Sequence, residues 1–199
     1  NGLQTVWFQN PPVIISTATI VGSKEGQGPL GHTFDKVVED NYYGEKSWEK
    51  AERRMLLEAM KTAAGRAGLT PQNFDFLLAG DLLNQIISAS FTARNLGIPF
   101  LGLYGACATM YEGLALGAML IDGGFADLVL IGVSSHFATA ERQFRYPTEQ
   151  GVQRPLYASW TVTGAAAAVL ARTGSGPVVT HATVGRAIDY GQGDPQNMG

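Results

Sequence analysis

The sequence predicts an α/β fold with a mostly parallel sheet covered by helices on both faces. Between residues 47 and 135, short apolar runs alternate with helix-length segments in βαβαβ order. The runs are continuously apolar, as in FDFLLAG (74–80) and ADLVLIGVSS (126–135), a pattern of strands buried on both faces and not of a sheet with one wet face. A chain of 199 residues with 25 glycines and no low-complexity run has room for one large domain, or for half of a duplicated one, with tight turns and close packing.

Taken in order, VIISTATI (13–20) is β-rich and follows Pro11 and Pro12, so it reads as a strand, and the glycine-punctuated stretch after it reads as a long loop. Residues 47–68 form a helix: Ser47 is an N-cap, apolar positions recur at 48, 51, 55, 56, 59 and 63, and Gly68 lies just past the end. FDFLLAG is the next strand, and residues 81–97 form a helix opened by Asp81 and closed by Gly97. A strand over 98–106, a helix over 107–122 and a strand over 126–135 continue the alternation. The polar and aromatic stretch 136–160 breaks it as a long excursion, a feature that is often functional. Two successive strands, 161–172 and 177–188, are then joined by the TGSG turn.

The helix over 107–121 carries small or apolar residues on every side, and Glu112 is its one charge. It should be buried all round and pressed against another helix, because a sheet covers only one side. The cover is expected from a second half absent from this chain, from a partner chain, or from both.

A net charge of −3 gives no global attraction to nucleic acid or anionic lipid, so any anion site is local. A single cysteine excludes an intrachain disulfide and a multi-cysteine metal site. No stretch approaches the roughly 20 uncharged apolar residues of a membrane span, and the first residues lack a basic segment followed by an apolar signal core, so the chain reads as soluble. No GxGxxG follows a strand, and Walker, HExxH and GxSxG motifs are missing, which leaves nucleotide, zinc-protease and serine-hydrolase readings without support.

The cysteine, Cys107, stands where a strand meets a helix N-terminus. Backbone N–H groups and the helix dipole there lower a thiol pKa and favour a carboxylate or oxyanion, and the same edge of an open α/β sheet is the usual ligand crevice. Cys107 is therefore a nucleophile, a pocket residue or buried packing. A nucleophile needs a base, and the histidines are His32, His136 and His181. His32 sits in the early loop and His181 within a predicted strand. His136 ends GVSSH on the same sheet edge as Cys107, so it is a pocket residue or a satisfied core histidine. Asp81 belongs to that edge too, as ligand contact or as N-cap. Arg142 and Arg145, with Phe137, Phe144 and Tyr146, suit a planar dicarboxylate through bidentate contacts and stacking, or else form an ion-pair network with Glu141 and Glu149.

Long strings across nearly the whole chain carry a resemblance: GPLG with FDK, KSWEKAER, LLAGDLLNQ, IPFLGLYGACAT, DGGFAD, SSHFATAERQFRYPTE, TVTGAAAAVL and the final DPQNMG. Together they resemble the stage V sporulation protein AD family of spore-forming bacteria, a branch of the thiolase-like fold. The pentapeptide GACAT alone would only suggest a thiolase or ketosynthase cysteine.

The resemblance implies that residues 1–199 are the N-terminal half of a duplicated αβαβα five-layer fold with a mostly parallel mixed sheet, in a homodimer, with Cys107 opening a central helix. Enzymes of this superfamily take their catalytic histidines, or a histidine and an asparagine, mainly from the C-terminal half. The sporulation family is understood to bind dipicolinic acid (pyridine-2,6-dicarboxylate), alone or as its calcium chelate. It works with other stage V sporulation membrane proteins that move the ligand into the developing spore. The implied protein is made in the cytoplasm of a sporulating bacterium and is peripheral on the spore inner membrane, without catalysis, cofactor or nucleic-acid partner. Its ligand contacts would be Asp81, Cys107, Ser135, His136 and Arg142. The alternatives are a thiolase- or ketosynthase-like acyltransferase with Cys107 as nucleophile, and an assembly scaffold that docks membrane partners.

Overall fold

In a computed structural model, residues 3–144, 161–191 and 193 are described. The elements in chain order are β1 (Thr5–Trp7), β2 (Val13–Val21), α1 (Ser23–Gly26), β3 (Lys36–Val37), α2 (Trp48–Arg66), β4 (Phe76–Gly80), α3 (Ile87–Leu96), β5 (Phe100–Gly102), α4 (Thr109–Asp122), β6 (Leu128–Ser135), α5 (Phe137–Phe144), β7 (Gly164–Ala171) and β8 (His181–Thr183). The main sheet has the order β3-β2-β7-β6-β4-β5. Strands β5, β4 and β6 run parallel, β7 lies antiparallel between β6 and β2, and β3 is parallel to β2.

The continuous apolar runs are explained by burial on two faces. Leu77, Leu130 and Val169 point to one side, where Met55, Leu56, Ala59, Met60 and Ala63 of α2 complete the core with α3. Their sequence neighbours Leu78, Val129, Ile131 and Leu170 point to the other side, onto Ile121 of α4. Alternate residues thus fill opposite cores, so neither set can be polar. Helix α4 approaches the sheet closely through Gly113, where an added Cβ would stand 2.7 Å from Ile131 Cγ2. Among the described residues nothing covers its far side: Tyr111 is 74% exposed and Leu116 is exposed as well.

The register brings one set of strand ends together. Gly80 pairs with Val133, Ser135 with Gly164, and Val21 also with Gly164, so the ends of β2, β4 and β6 meet the start of β7 at one edge.

Several boundaries differ from expectation. The helix expected over 81–97 begins only at Ile87, because the chain first kinks through Gln85 and Ile86, whose φ values of 61° and 45° are left-handed. The strand expected over 98–106 pairs with β4 for three residues before turning away. The described part of the 136–160 excursion forms the helix α5, an element not assigned to it from the sequence. The run 177–188 supplies only the short β8, which pairs with β1 in a separate two-stranded ribbon and not with β7.

Candidate functional site

The converging strand ends enclose a cavity of about 500 Å³. Cys107 and Met110 line one side, Ser134 and Ser135 come from the end of β6, and Leu82 and Val162 close it laterally. Its walls are mainly apolar, and no charged side chain and no histidine lines it among the described residues.

Cys107 sits in a single 3-10 turn, Ala106–Ala108, that leads into α4. Ala106 has a left-handed φ of 48°, a strained conformation for a residue with a Cβ, and it turns the chain sharply from β5 into the helix. The Thr109 hydroxyl staples this turn, accepting from the Gly105 N–H at 3.0 Å and donating to the Ala106 carbonyl at 2.8 Å. The free, exposed thiol is thereby held at the cavity and at the positive end of a 14-residue helix.

Ser135 is the second expected contact that lines the cavity, its hydroxyl donating to the Val162 carbonyl at 2.5 Å. The other three do not line it. Asp81 is 2% exposed, and its carboxylate accepts from the Leu83 and Ala89 backbone N–H groups at 2.7 Å each and from Ser88. It caps α3 from beyond the kink, so its oxygens are committed to amides, and burial raises its pKa against those bonds.

His136 is fully buried, with its ring stacked between Trp48 and Phe137. Its Nδ1 accepts from the Ala138 N–H at 3.2 Å, so Nε2 is the protonated nitrogen and donates to the Asn41 carbonyl at 2.9 Å. Both nitrogens are engaged with backbone, and none is left to take a proton from Cys107. Arg142 pairs with Glu49 at the start of α2 and does not line the cavity. His32 is exposed, and His181 stacks on Trp7 in the ribbon. Arg145, Tyr146, Glu149 and the Phe144 side chain lie outside the described residues.

Beneath the cavity wall lies a group that motif reading missed. Glu52 of α2 is fully buried, within hydrogen-bond reach of the Ser134 hydroxyl at 2.9 Å and the Thr139 hydroxyl at 3.1 Å. Its pKa is pushed up to about 8, first by burial and then by the nearby charge of Asp81. The available signal was a glutamate inside the apolar stripe of a helix, between Trp48, Ala51, Met55 and Leu56.

A family model described as stage V sporulation protein AD matches residues 2–199. The chain belongs to the stage V sporulation protein AD family. The stage V sporulation protein AD of Bacillus subtilis (strain 168) is 48% identical over 198 residues, covering 100% of this chain and 59% of that protein. Among solved structures, 3-oxoacyl-(acyl-carrier-protein) synthase III from Aquifex aeolicus VF5 superposes with a TM-score of 0.56 at 18% identity, over 82% of this chain and 55% of that one. The H285N variant of OleA from Xanthomonas campestris gives a TM-score of 0.54 at 19% identity, over 83% and 57%. These two share the fold, which is thiolase-like. The chain spans less than two thirds of each of these relatives.

Proposed function

We propose that this family member binds dipicolinic acid in the Cys107 cavity and contributes to its uptake into the developing spore without catalysis. The observation that supports this most is a thiol at a helix N-terminus, facing an apolar cavity, with each of the three histidines placed elsewhere. Apolar walls suit the faces of a planar aromatic ring, and the start of α4 favours a carboxylate. Asp81 and His136 support the site by fixing its scaffold, while Cys107 and Ser135 face the ligand. Calcium would enter as the ligand's chelate.

The full-length protein is read as a duplicated fold. This chain is its N-terminal half, and the C-terminal half covers the outer face of α4. It is further read as a homodimer, peripheral on the spore inner membrane beside other stage V sporulation membrane proteins. No helix among the described residues is long and apolar enough to cross a membrane.

Calorimetric titration of the full-length protein with dipicolinate tests the reading. Saturable heat is expected for wild type, with affinity reduced at least tenfold in Cys107→Trp, whose indole would fill the cavity. No saturable heat for wild type, or an unchanged affinity in Cys107→Trp, would count decisively against it. The acyltransferase alternative draws on Cys107 at the helix start. It predicts an acyl adduct on Cys107 by intact mass after incubation with acyl-CoA thioesters, and an unmodified thiol across a thioester panel would reject it.

A further inference from the structure

We propose that Glu52 is a positioning residue for the cavity, a neutral carboxylic acid that ties the Ser134 wall to the first turn of α5 through a directed chain of hydrogen bonds. The direction follows from counting protons. The Thr139 hydroxyl has one proton and two oxygens in reach, the His136 carbonyl at 3.0 Å, which can only accept and also takes the Ala140 N–H, and Glu52 Oε2; both contacts are hydrogen bonds at once only when the threonine proton goes to the carbonyl. The same oxygen lies 3.1 Å from Glu52 Oε2, and that contact is a hydrogen bond when Oε2 carries the proton and donates it. On the other side the Ser134 hydroxyl donates to Oε1 at 2.9 Å. The chain therefore runs from Ser134 to Glu52, then to Thr139, then to the His136 carbonyl. It crosses from the end of β6 through α2 into α5, and every member is buried.

The surroundings favour the neutral acid. Asp81 at the end of β4 faces Glu52, and Glu49 lies one turn earlier on α2. The strands packed on α2, namely β2, β6 and β7, contribute no titratable side chain. Helix α3 offers only the exposed Arg94. On α5, Arg142 is paired with Glu49, the Glu141 carboxylate accepts from the Thr161 hydroxyl, and the buried His136 is held neutral. Among the described residues no cation stands against Glu52 to hold it ionised, and burial pushes its pKa up to about 8.

An ionised Glu52 could only accept, so the single Thr139 proton would have to leave the His136 carbonyl for Oε2. It would also place a buried negative charge one hydroxyl away from the cavity, and so oppose a bound dianion. This consequence rests on the reading of the cavity as a dicarboxylate site, whereas the protonation of Glu52 does not.

The test has two arms on the full-length protein. Without ligand, infrared difference spectra between pH 7 and pH 9 should show a buried protonated-carboxyl band that is lost at the higher pH and is absent from Glu52→Gln. Lack of such a band in wild type, or its persistence in the variant, would overturn the proposal. With dipicolinate, wild-type affinity should weaken by up to about tenfold per pH unit above 8. Glu52→Gln, whose amide both donates and accepts, should bind like wild type at pH 7 with a flat profile. Parallel pH profiles for the two proteins would also overturn it. Failure of wild type to bind at any pH would sink the dipicolinate reading, and the infrared arm would still decide the state of Glu52.

Discussion

His136 and Asp81 are both polar, both buried near the cavity end of the sheet, and both committed to backbone groups. Burial holds the His136 imidazole below its ordinary value of 6.5, against the opposing pull of the Asn41 carbonyl. The unfolded chain takes up a proton near pH 6.5, while the folded ring waits for a lower pH. Between those two values the unfolded state binds more protons, so stability falls as pH falls. Glu52, whose pKa is raised to about 8, adds stability as pH falls in both proteins, so His136 is read from the difference: the urea midpoint of wild type relative to that of His136→Asn, which has nothing to titrate, should fall between pH 7 and about pH 5.5. Equal slopes for the two proteins would contradict a neutral His136. For Asp81 the argument is satisfaction of donors. Replacing it with alanine leaves the Leu83, Ser88 and Ala89 amides without their carboxylate acceptor in a buried setting. A loss of about 2–3 kcal/mol is expected in urea unfolding, with faster hydrogen exchange confined first to those amides and α3. Unchanged exchange there would show that Asp81 is not the cap.

At the scale of elements, the segment between β4 and α3 shows why local pattern and structure part company. Residues 81–97 carry helix-compatible sequence from an acidic start to Gly97, yet Leu82 and Leu83 turn inward and the left-handed pair Gln85 and Ile86 delays the helix to Ile87. The cap is real, but it acts through space across the kink, which spacing along the chain does not encode. Gln85 is exposed and its φ is 61°, so glycine there removes left-handed strain at little loss of contact. Gln85→Gly should stabilise the protein by about 0.5–1 kcal/mol, after the entropy of a freer unfolded chain is set against the strain relieved. A lower melting temperature would show that the kink is not strained at this residue. Elsewhere the pattern was legible where physics is local: β4, β6 and β7 are buried on both faces, β2 is a β-rich run after two prolines, and α2 has its Ser47 cap and apolar stripe. The placement of Cys107 at a strand-to-helix seam was readable for the same reason. The inward turn of His136, the Glu49 partner of Arg142 and the Glu52 chain were not, because each depends on residues 40 or more positions apart meeting in space.

At the scale of the molecule, the β5 edge is the surface that most needs a partner. Among the described residues the sheet ends at β5, which pairs only with β4, and its segment from Gly97 to Gly105 contains no charged residue to discourage pairing with another strand. Leu101 is 46% exposed there, beside exposed Tyr104, Ile87 and Phe91. Two copies related by a two-fold axis can set β5 against β5 antiparallel, which extends the sheet across the interface and covers the same patch on both chains. The homodimer proposed for the full-length protein is therefore expected through this edge. Leu101→Lys places a charge at the centre of that pairing without touching the core, so it should convert a dimer to a monomer in sedimentation velocity while leaving the melting of the monomer unit intact. A wild-type monomer at micromolar concentration, or a Leu101→Lys variant that remains dimeric, would exclude β5 as the interface and leave the exposed Leu101, Tyr104 and Phe91 to be explained by another partner.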